Sequence, residues 1–330
     1  MRAWRWMGSI VLVFAAAFGV TAFAQQGAEK APIWTAFDNE KPFWQEMTTD
    51  TKQSMKVQGM TVEQNQKQTF FVKWTPKKVD PKTPNKWEVD YEITGVKMDI
   101  TIGGNPISYD SANKDKTAQN PLTDFFGALV GSKFKLTVTR DEKDGMKVTE
   151  VDGLTAFVDK LTAANDQLKP LLKSILTPEA VKQMSNPTFA AFPPSEKEWE
   201  KKEWVYPVTL NMGPIGSYET TYTYKVNEKD KSKIDILGKM KYLPPEGKDS
   251  ASIPFTIKPK STLNSENISG SVTIDRTAGR IADSEIKMDL KGNLVIDIAG
   301  METTVELTQK QTSKVRTSDT ELPPPAAPKK

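Results

Sequence analysis

The side chains that most often carry catalysis are missing from this chain of 330 residues: it has no histidine and no cysteine. Ser-His-Asp and Cys-His nucleophile activation are therefore excluded, together with ordinary zinc and copper sites and haem ligation by imidazole or thiolate. Carboxylate-pair hydrolysis, Ser-Lys chemistry and hard-cation binding by oxygen ligands remain open. Asp141, Glu142, Asp144 and Gly145 gather acidic groups before a glycine. They lack the alternating oxygen ligands and distal glutamate of a calcium loop, so they read as a solvated hairpin turn. Tyr109-Asp110-Ser111, followed by Asn113 and Asp115, reads as a polar loop leaving a strand. Carboxylates are plentiful, yet no signature sets two of them across a scissile glycosidic bond. Tyr218, Tyr222 and Tyr224 could form a platform for a sugar or peptide, but aromatics are also what ordinary strands prefer. No catalytic residue, cofactor site or metal ligand is expected.

The strongest candidate for a site is apolar. Phe125, Phe126, Leu129, Phe157 and Leu161 fall on helical faces. Such faces packed on a curved antiparallel sheet can enclose a greasy pocket, or they can simply seal a core, which amphipathic helices more often do.

The elements that would position these residues are mostly strands. Period-two alternation is clear at Phe70-Val72-Trp74, Phe134-Leu136-Val138, Tyr206-Val208-Leu210-Met212 and Ile286-Met288-Leu290. Gly59-Met60, Gly103-Gly104-Asn105, Asp144-Gly145, Gly213-Pro214, Ala278-Gly279 and Gly292-Asn293 supply the turns. Short connections imply antiparallel hairpins and meanders. Trp87, Val89, Tyr91 and Ile93 are odd-numbered, whereas Val96, Met98, Ile100 and Ile102 are even, which predicts a β-bulge or bend at Thr94-Gly95.

Helical spacing appears at 121–130, at Leu154-Phe157-Val158-Leu161 and at Leu168-Leu171-Leu172-Ile175-Leu176. Pro170 marks a first turn, and Thr177-Pro178-Glu179 reads as an N-cap with proline at N1. Glu196 to Trp204 reads as the amphipathic entry to a strand. A faint echo links Gly59-Met60-Thr61-Val62-Glu63 and Gln66-Lys67-Gln68-Thr69 to Gly300-Met301, Thr304-Val305-Glu306 and Gln309-Lys310-Gln311-Thr312. Lys97-Met98-Asp99-Ile100 likewise resembles Lys287-Met288-Asp289-Leu290. A duplicated β unit or coincidence among threonine-rich strands would each produce this.

The N-terminus reads as an export signal. Arg2 and Arg5 precede an apolar run of eleven residues, Ile10 to Val20, and Ala22-Phe23-Ala24 predicts cleavage between Ala24 and Gln25. That run is shorter than the roughly 20 residues needed to span a bilayer, and no later stretch is apolar enough. No cysteine is present to carry a lipid anchor. Without Arg2 and Arg5 the formal charge falls from +3 to +1, and lysines alternate with glutamates, leaving no basic footprint for nucleic acid.

Met55-Lys56-Val57, Trp74-Thr75-Pro76, Gly95-Val96-Lys97-Met98, Tyr109-Asp110-Ser111 and Asn120-Pro121-Leu122 with Phe125-Phe126 form a familiar series. Gly213-Pro214-Ile215-Gly216, Tyr218-Glu219-Thr220-Thr221-Tyr222 and Gly300-Met301-Glu302-Thr303 continue it. Over most of residues 45–315 the chain resembles the domain-of-unknown-function family numbered 6263, which consists of uncharacterised bacterial exported proteins. Where that family carries Gly-Asp-x-Trp, this chain reads Glu196-Lys197-Glu198-Trp199. The resemblance implies export and a β-rich fold, and no activity.

The expected fold is mainly β with a helical insert (α+β). Antiparallel meander or hairpin sheets, read as two related β units, pack against a few amphipathic helices. The expected divisions are a signal peptide (1–24), a leader (25–44) and an N-terminal β unit (45–152) with its short helix (121–130). A helical insert (153–186), a linker (187–198), a C-terminal β unit (199–316) and a disordered Pro-rich tail (317–330) follow. The expected function is that of a non-catalytic binding or structural module in the periplasm or outside the cell, partnered by an envelope protein, wall polymer or lipid. The alternative is a periplasmic carrier of a hydrophobic ligand, lipid or lipoprotein, held between sheet and helices.

Overall fold

The alternating segments fold as long antiparallel strands in a computed structural model that describes residues 30–80, 82–83, 85–113, 121–141, 145–163, 169–245, 255–298 and 300–322. The expected cleavage site at Ala24-Gln25 lies outside these residues, as do Asp115, Glu142 and Asp144. The strands are β1 (Phe43–Val57), β2 (Met60–Lys78), β3 (Lys86–Ile102), β4 (Asn105–Asp110), β5 (Lys133–Asp141) and β6 (Gly145–Asp152). After the helices come β7 (Glu203–Asn211), β8 (Ser217–Val226), β9 (Lys233–Leu243), β10 (Thr256–Ile257), β11 (Thr262–Asp275), β12 (Arg280–Ile298) and β13 (Met301–Ser318). The helices are α1 (Pro121–Leu129), α2 (Leu154–Thr162), α3 (Lys169–Ile175), α4 (Pro178–Ser185), α5 (Pro187–Ala190) and α6 (Glu196–Lys201).

All thirteen strands belong to one sheet, in the order β6-β5-β3-β2-β1-β13-β12-β11-β9-β8-β7, with β4 on β3 and β10 on β12. The two expected β units therefore share a sheet, joined where β1 pairs with β13 from Trp44↔Ser318 to Val57↔Val305. Laid flat, the eleven strands of the main path would hold their outer members roughly 48 Å apart. Yet β6 and β7 both pack on α4, an eight-residue helix only about 12 Å long. The sheet must curl until its two edges flank that helix.

The predicted bulge is present. Phe71 pairs with Gly95 and Val72 with Ile93, so Thr94 is the extra residue that returns the apolar side chains of β3 to one face. Gln58 and Gly59 both have positive φ (49° and 82°), the two-residue hairpin geometry that matches strand twist. Thr177 caps α4, its Oγ1 accepting from the Ala180 N–H at 3.1 Å.

The sequence echo has a structural counterpart. Lys97, Met98, Asp99 and Ile100 of β3 face Thr69, Gln68, Lys67 and Gln66 of β2. Lys287, Met288, Asp289 and Leu290 of β12 face Thr312, Gln311, Lys310 and Gln309 of β13. The register is the same but the chain order is inverted, since β3 follows β2 while β12 precedes β13. Duplicating a hairpin preserves chain order. The shared pattern follows from cross-strand chemistry, with lysine opposite aspartate on the outer face and neutral side chains within.

Three expected divisions are corrected. Residues 30–42 of the leader are no free arm: Trp34 and Phe37 are buried, and Phe37 packs among Phe43, Trp74, Trp87 and Phe189. The N–H groups of Thr35 and Ala36 donate to the Gly279 carbonyl at 2.8 and 3.1 Å, and Arg140 donates to Asp38 at 3.0 Å while lying over the Trp87 ring. Aromatic residues in a polar segment were the missed signal. The 187–198 linker holds α5 and the start of α6, and it buries Phe189 and Phe192. Glu196 to Lys201 is a helix capped by Ser195, not the entry to a strand. At the other end, β13 runs to Ser318 and Leu322 is buried, so the described part of the tail lies on the fold.

A candidate ligand-binding lumen

Residues directly opposite in register share a face, so the inward side of the sheet can be traced strand by strand. One row runs Val96, Phe70, Met47, Val315, Ser284, Val272, Ile234 and Val226. The next runs Met98, Gln68, Thr49, Ser313, Ile286, Gly270, Ile236, Tyr224 and Trp204. Followed along β1–β3, β7–β9 and β11–β13, these inward positions carry one charged side chain, Lys78 at the end of β2 opposite Trp87. On β5, Arg140 is at the end of the strand, engaged by the N-terminal segment.

The inward face is layered. Toward the start of β1, an apolar cluster includes Phe43, Trp74, Trp87, Leu136 and Val138. Toward its end, a second cluster includes Tyr218, Tyr242, Leu263, Ile296 and Leu307. Between them lies a neutral polar belt. Thr49, Thr51 and Gln53 of β1 are buried, flanked by buried Gln64, Gln66 and Gln68 of β2. On the other side stand Gln309, Gln311 and Ser313 of β13, with the two glutamines half-buried.

The apolar layer beside this belt is not filled to the same depth everywhere. Met47 is half-buried between Gln45 and Thr49, which are 4% and 1% exposed. Phe70 is half-buried between Gln68 and Val72, each 1% exposed. Tyr91 sits likewise between buried Val89 and Ile93, and Tyr222 between buried Thr220 and Tyr224. Ile286 and Met288 are half-buried between buried Ser284 and Leu290. Met47, Phe70, Tyr91, Tyr222 and Ile286 pack on the apolar cluster yet keep accessible surface in mid-strand, with buried neighbours above and below. Tyr222 is half-buried, and desolvation pushes its hydroxyl up to about 12. Tyr91, whose hydroxyl donates to the Met47 sulfur at 3.7 Å, is raised for the same reason. Opposite the sheet, α3 offers Leu171, Leu172 and Ile175, followed by Leu176 just past its end, all half-buried.

The five residues predicted to line a pocket are brought together in one cluster. Phe126, Leu129, Phe157 and Leu161 are buried, and Phe125 is half-buried. Phe157 packs edge-on against Phe134 at 5.5 Å, and Phe126 lies 6.0 Å from Tyr109. Shallow surface clefts, one at Lys30–Ile33 with Arg276 and one at Lys56–Gly59 with Glu302–Glu306, involve none of the five. Of the tyrosine trio, Tyr218 and Tyr224 are core and Tyr222 is half-buried. The wall residues Met47, Phe70, Tyr91 and Met288 were missed, because strand alternation marks a face as inward without telling whether it is covered.

The polar candidates are structural. The Ser111 Oγ accepts from the Val96 N–H at 3.0 Å, and Asp110 accepts from the Ala112 N–H at 3.0 Å. Asp141 pairs with Gly145 to close the β5–β6 hairpin. Among the described residues, no three acidic side chains gather as metal ligands, and no helix is long and apolar enough to cross a membrane.

Residues 84–281, from β3 to the start of β12, match the profile of the family of unknown function DUF6263. The chain belongs to that family. Within DUF6263 the matched span takes in the helical insert and the strands that face it. No functionally curated protein matches. Solved structures similar to the chain include OccK5 (OpdH) of Pseudomonas aeruginosa, 7% identical over 84% of this chain and 99% of that one, with a TM-score of 0.25. An outer membrane channel from Pseudomonas putida F1 is 7% identical over 90% and 100%, with a TM-score of 0.24. DynF, from the dynemicin biosynthesis pathway of Micromonospora chersina, is 10% identical over 91% and 94%, with a TM-score of 0.18. Scores this low carry no argument about the fold or the function of this chain.

Proposed function

We propose that this protein is a non-catalytic, exported protein of the cell envelope that holds a hydrophobic ligand between its curled sheet and helices α1–α4. The observation that carries the reading is the ring of half-buried inward residues, Met47, Phe70, Tyr91, Ile286, Met288 and Tyr222, each set among buried neighbours. A lumen with an apolar wall and a few convergent polar groups is the usual form of a small-molecule site. Export is supported by the Arg2–Ala24 pattern. The other reading, partner binding by strand addition, has less support because β6 and β7 are both engaged by α4.

The test is native mass spectrometry of protein purified from its own envelope, followed by organic extraction. A stoichiometric lipid is expected. A clean mass for the bare polypeptide across several growth conditions would overturn the proposal.

A further inference from the structure

We infer that the lumen selects an uncharged amphiphile, with an acyl chain against Met47, Phe70 and Tyr222 and a neutral hydrogen-bonding head against the glutamine belt. The inference rests on the lumen reading above and concerns the chemistry of its ligand.

The belt is built to hydrogen-bond without charge. Gln64 donates to Gln66 at 3.4 Å and Gln66 to Gln68 at 3.1 Å along β2. On β13, Gln309 donates to Gln311 and Gln311 to Ser313, each at 3.2 Å. These chains leave groups unused at their ends and borders. Gln64 Oε1, Thr49 Oγ1, Ser265 Oγ and Ser284 Oγ are buried and have no hydrogen-bond partner among the described residues. All four belong to inward positions, and their residues are at most 1% exposed. Those four atoms are sealed within the wall, whereas Gln309 and Gln311 are half-buried and keep amide surface within reach of a ligand, and convergent polar groups of this kind fix a ligand's orientation. An amide oxygen needs a donor, and hydroxyls both donate and accept. A head bearing hydroxyl, ester or amide groups supplies both.

A charged head fits badly. The cations near the inward face lie at its far end, away from the belt: Lys78 ends β2, Arg140 is paired with Asp38, and Arg280, over the Phe43 ring, is paired with Asp319. The belt itself offers no cation to a carboxylate or phosphate and no anion to an amine. Burying an uncompensated charge costs several kcal/mol, more than neutral hydrogen bonds return.

The experiment uses the full mature chain, stripped of bound lipid, and the neutral dye N-phenyl-1-naphthylamine, whose fluorescence rises in apolar surroundings. Monodecanoylglycerol and decanoate, which share an acyl chain and differ in head charge, compete for the dye at pH 8. The monoglyceride should displace dye with an affinity about tenfold higher than that of the carboxylate. Gln309→Leu, at a half-buried site that accepts an apolar side chain, should lower the affinity of the monoglyceride relative to that of the dye severalfold. Dye binding with equal or tighter competition by decanoate would overturn the neutral-head inference and leave the lumen standing. Failure of the dye and both competitors to bind would overturn the lumen reading, and this inference with it.

Discussion

Gln183 and Asn186, three residues apart around the end of α4, accept hydrogen bonds from opposite edges of the same sheet. The Asn211 N–H of β7 donates to Gln183 Oε1 at 3.2 Å, and the Val148 N–H of β6 donates to Asn186 Oδ1 at 2.7 Å. Edge strands present unpaired backbone groups that invite association with other chains. Here one helix satisfies one such group on each side and holds the seam of the curled sheet.

The two bonds should differ in worth. The Asn186 bond is partly buried and the Gln183 bond exposed. Asn186→Ala, which strands a partly buried N–H, should cost about 1–3 kcal/mol. Gln183→Ala should cost under about 1 kcal/mol, because water replaces the lost acceptor. Urea melts of both variants check this, and equal losses would contradict the seam as described.

The proposed lumen makes a second contrast. Phe157 is buried behind the wall with its ring against Phe134, so Phe157→Ala should cost about 3–5 kcal/mol. Phe70 is half-buried on the inward face, so Phe70→Ala should cost roughly 1–3 kcal/mol, and on the proposed reading it should also weaken dye binding. A smaller loss for Phe157 than for Phe70 would mean that the space lies on the helical side instead.

Asp283 gives a pH dependence. Burial raises its carboxyl from an ordinary 3.8 to about 7, and nearby Lys233 offsets this only in part. Its Oδ1 has no hydrogen-bond partner among the described residues. The folded chain therefore holds a proton that the unfolded chain releases. That contribution to stability is fully present below about pH 4 and is lost as pH rises toward about 7. Asp283→Asn should raise stability at pH 8 by on the order of 1–2 kcal/mol and change it little at pH 4. Denaturant melts at the two pH values read the difference, and destabilisation by the variant at pH 8 would refute the assignment.

The export proposal predicts a mature N-terminus at Gln25. N-terminal sequencing of protein recovered from the envelope should begin there, and a sequence beginning at Met1 would end the proposal.

Local elements were legible wherever the governing interaction is itself local. The Thr94 bulge, the Thr177 cap, the helix from Leu154 and the long alternating strands all came from spacing of a few residues. Segments fixed by distant partners were misread. Trp34 and Phe37 look like part of a polar leader until Gly279 and Arg140, far along the chain, are seen to hold them. Glu196 to Lys201 looked like a strand entry because charge alternation with tryptophan is compatible with either period.

By itself, the amino-acid sequence determined the absence of imidazole and thiolate chemistry, the family membership and the inward face of β2, β3, β5, β7 and β12. All three depend only on residue type and order. The closing of thirteen strands into one curled sheet was decided by tertiary structure, through the β1–β13 pairing and the single helix between β6 and β7. So was the division of the inward face into two apolar clusters and the glutamine belt between them. Alternation records which side chains leave water, whereas what they meet inside depends on strands and helices brought together from both ends of the chain.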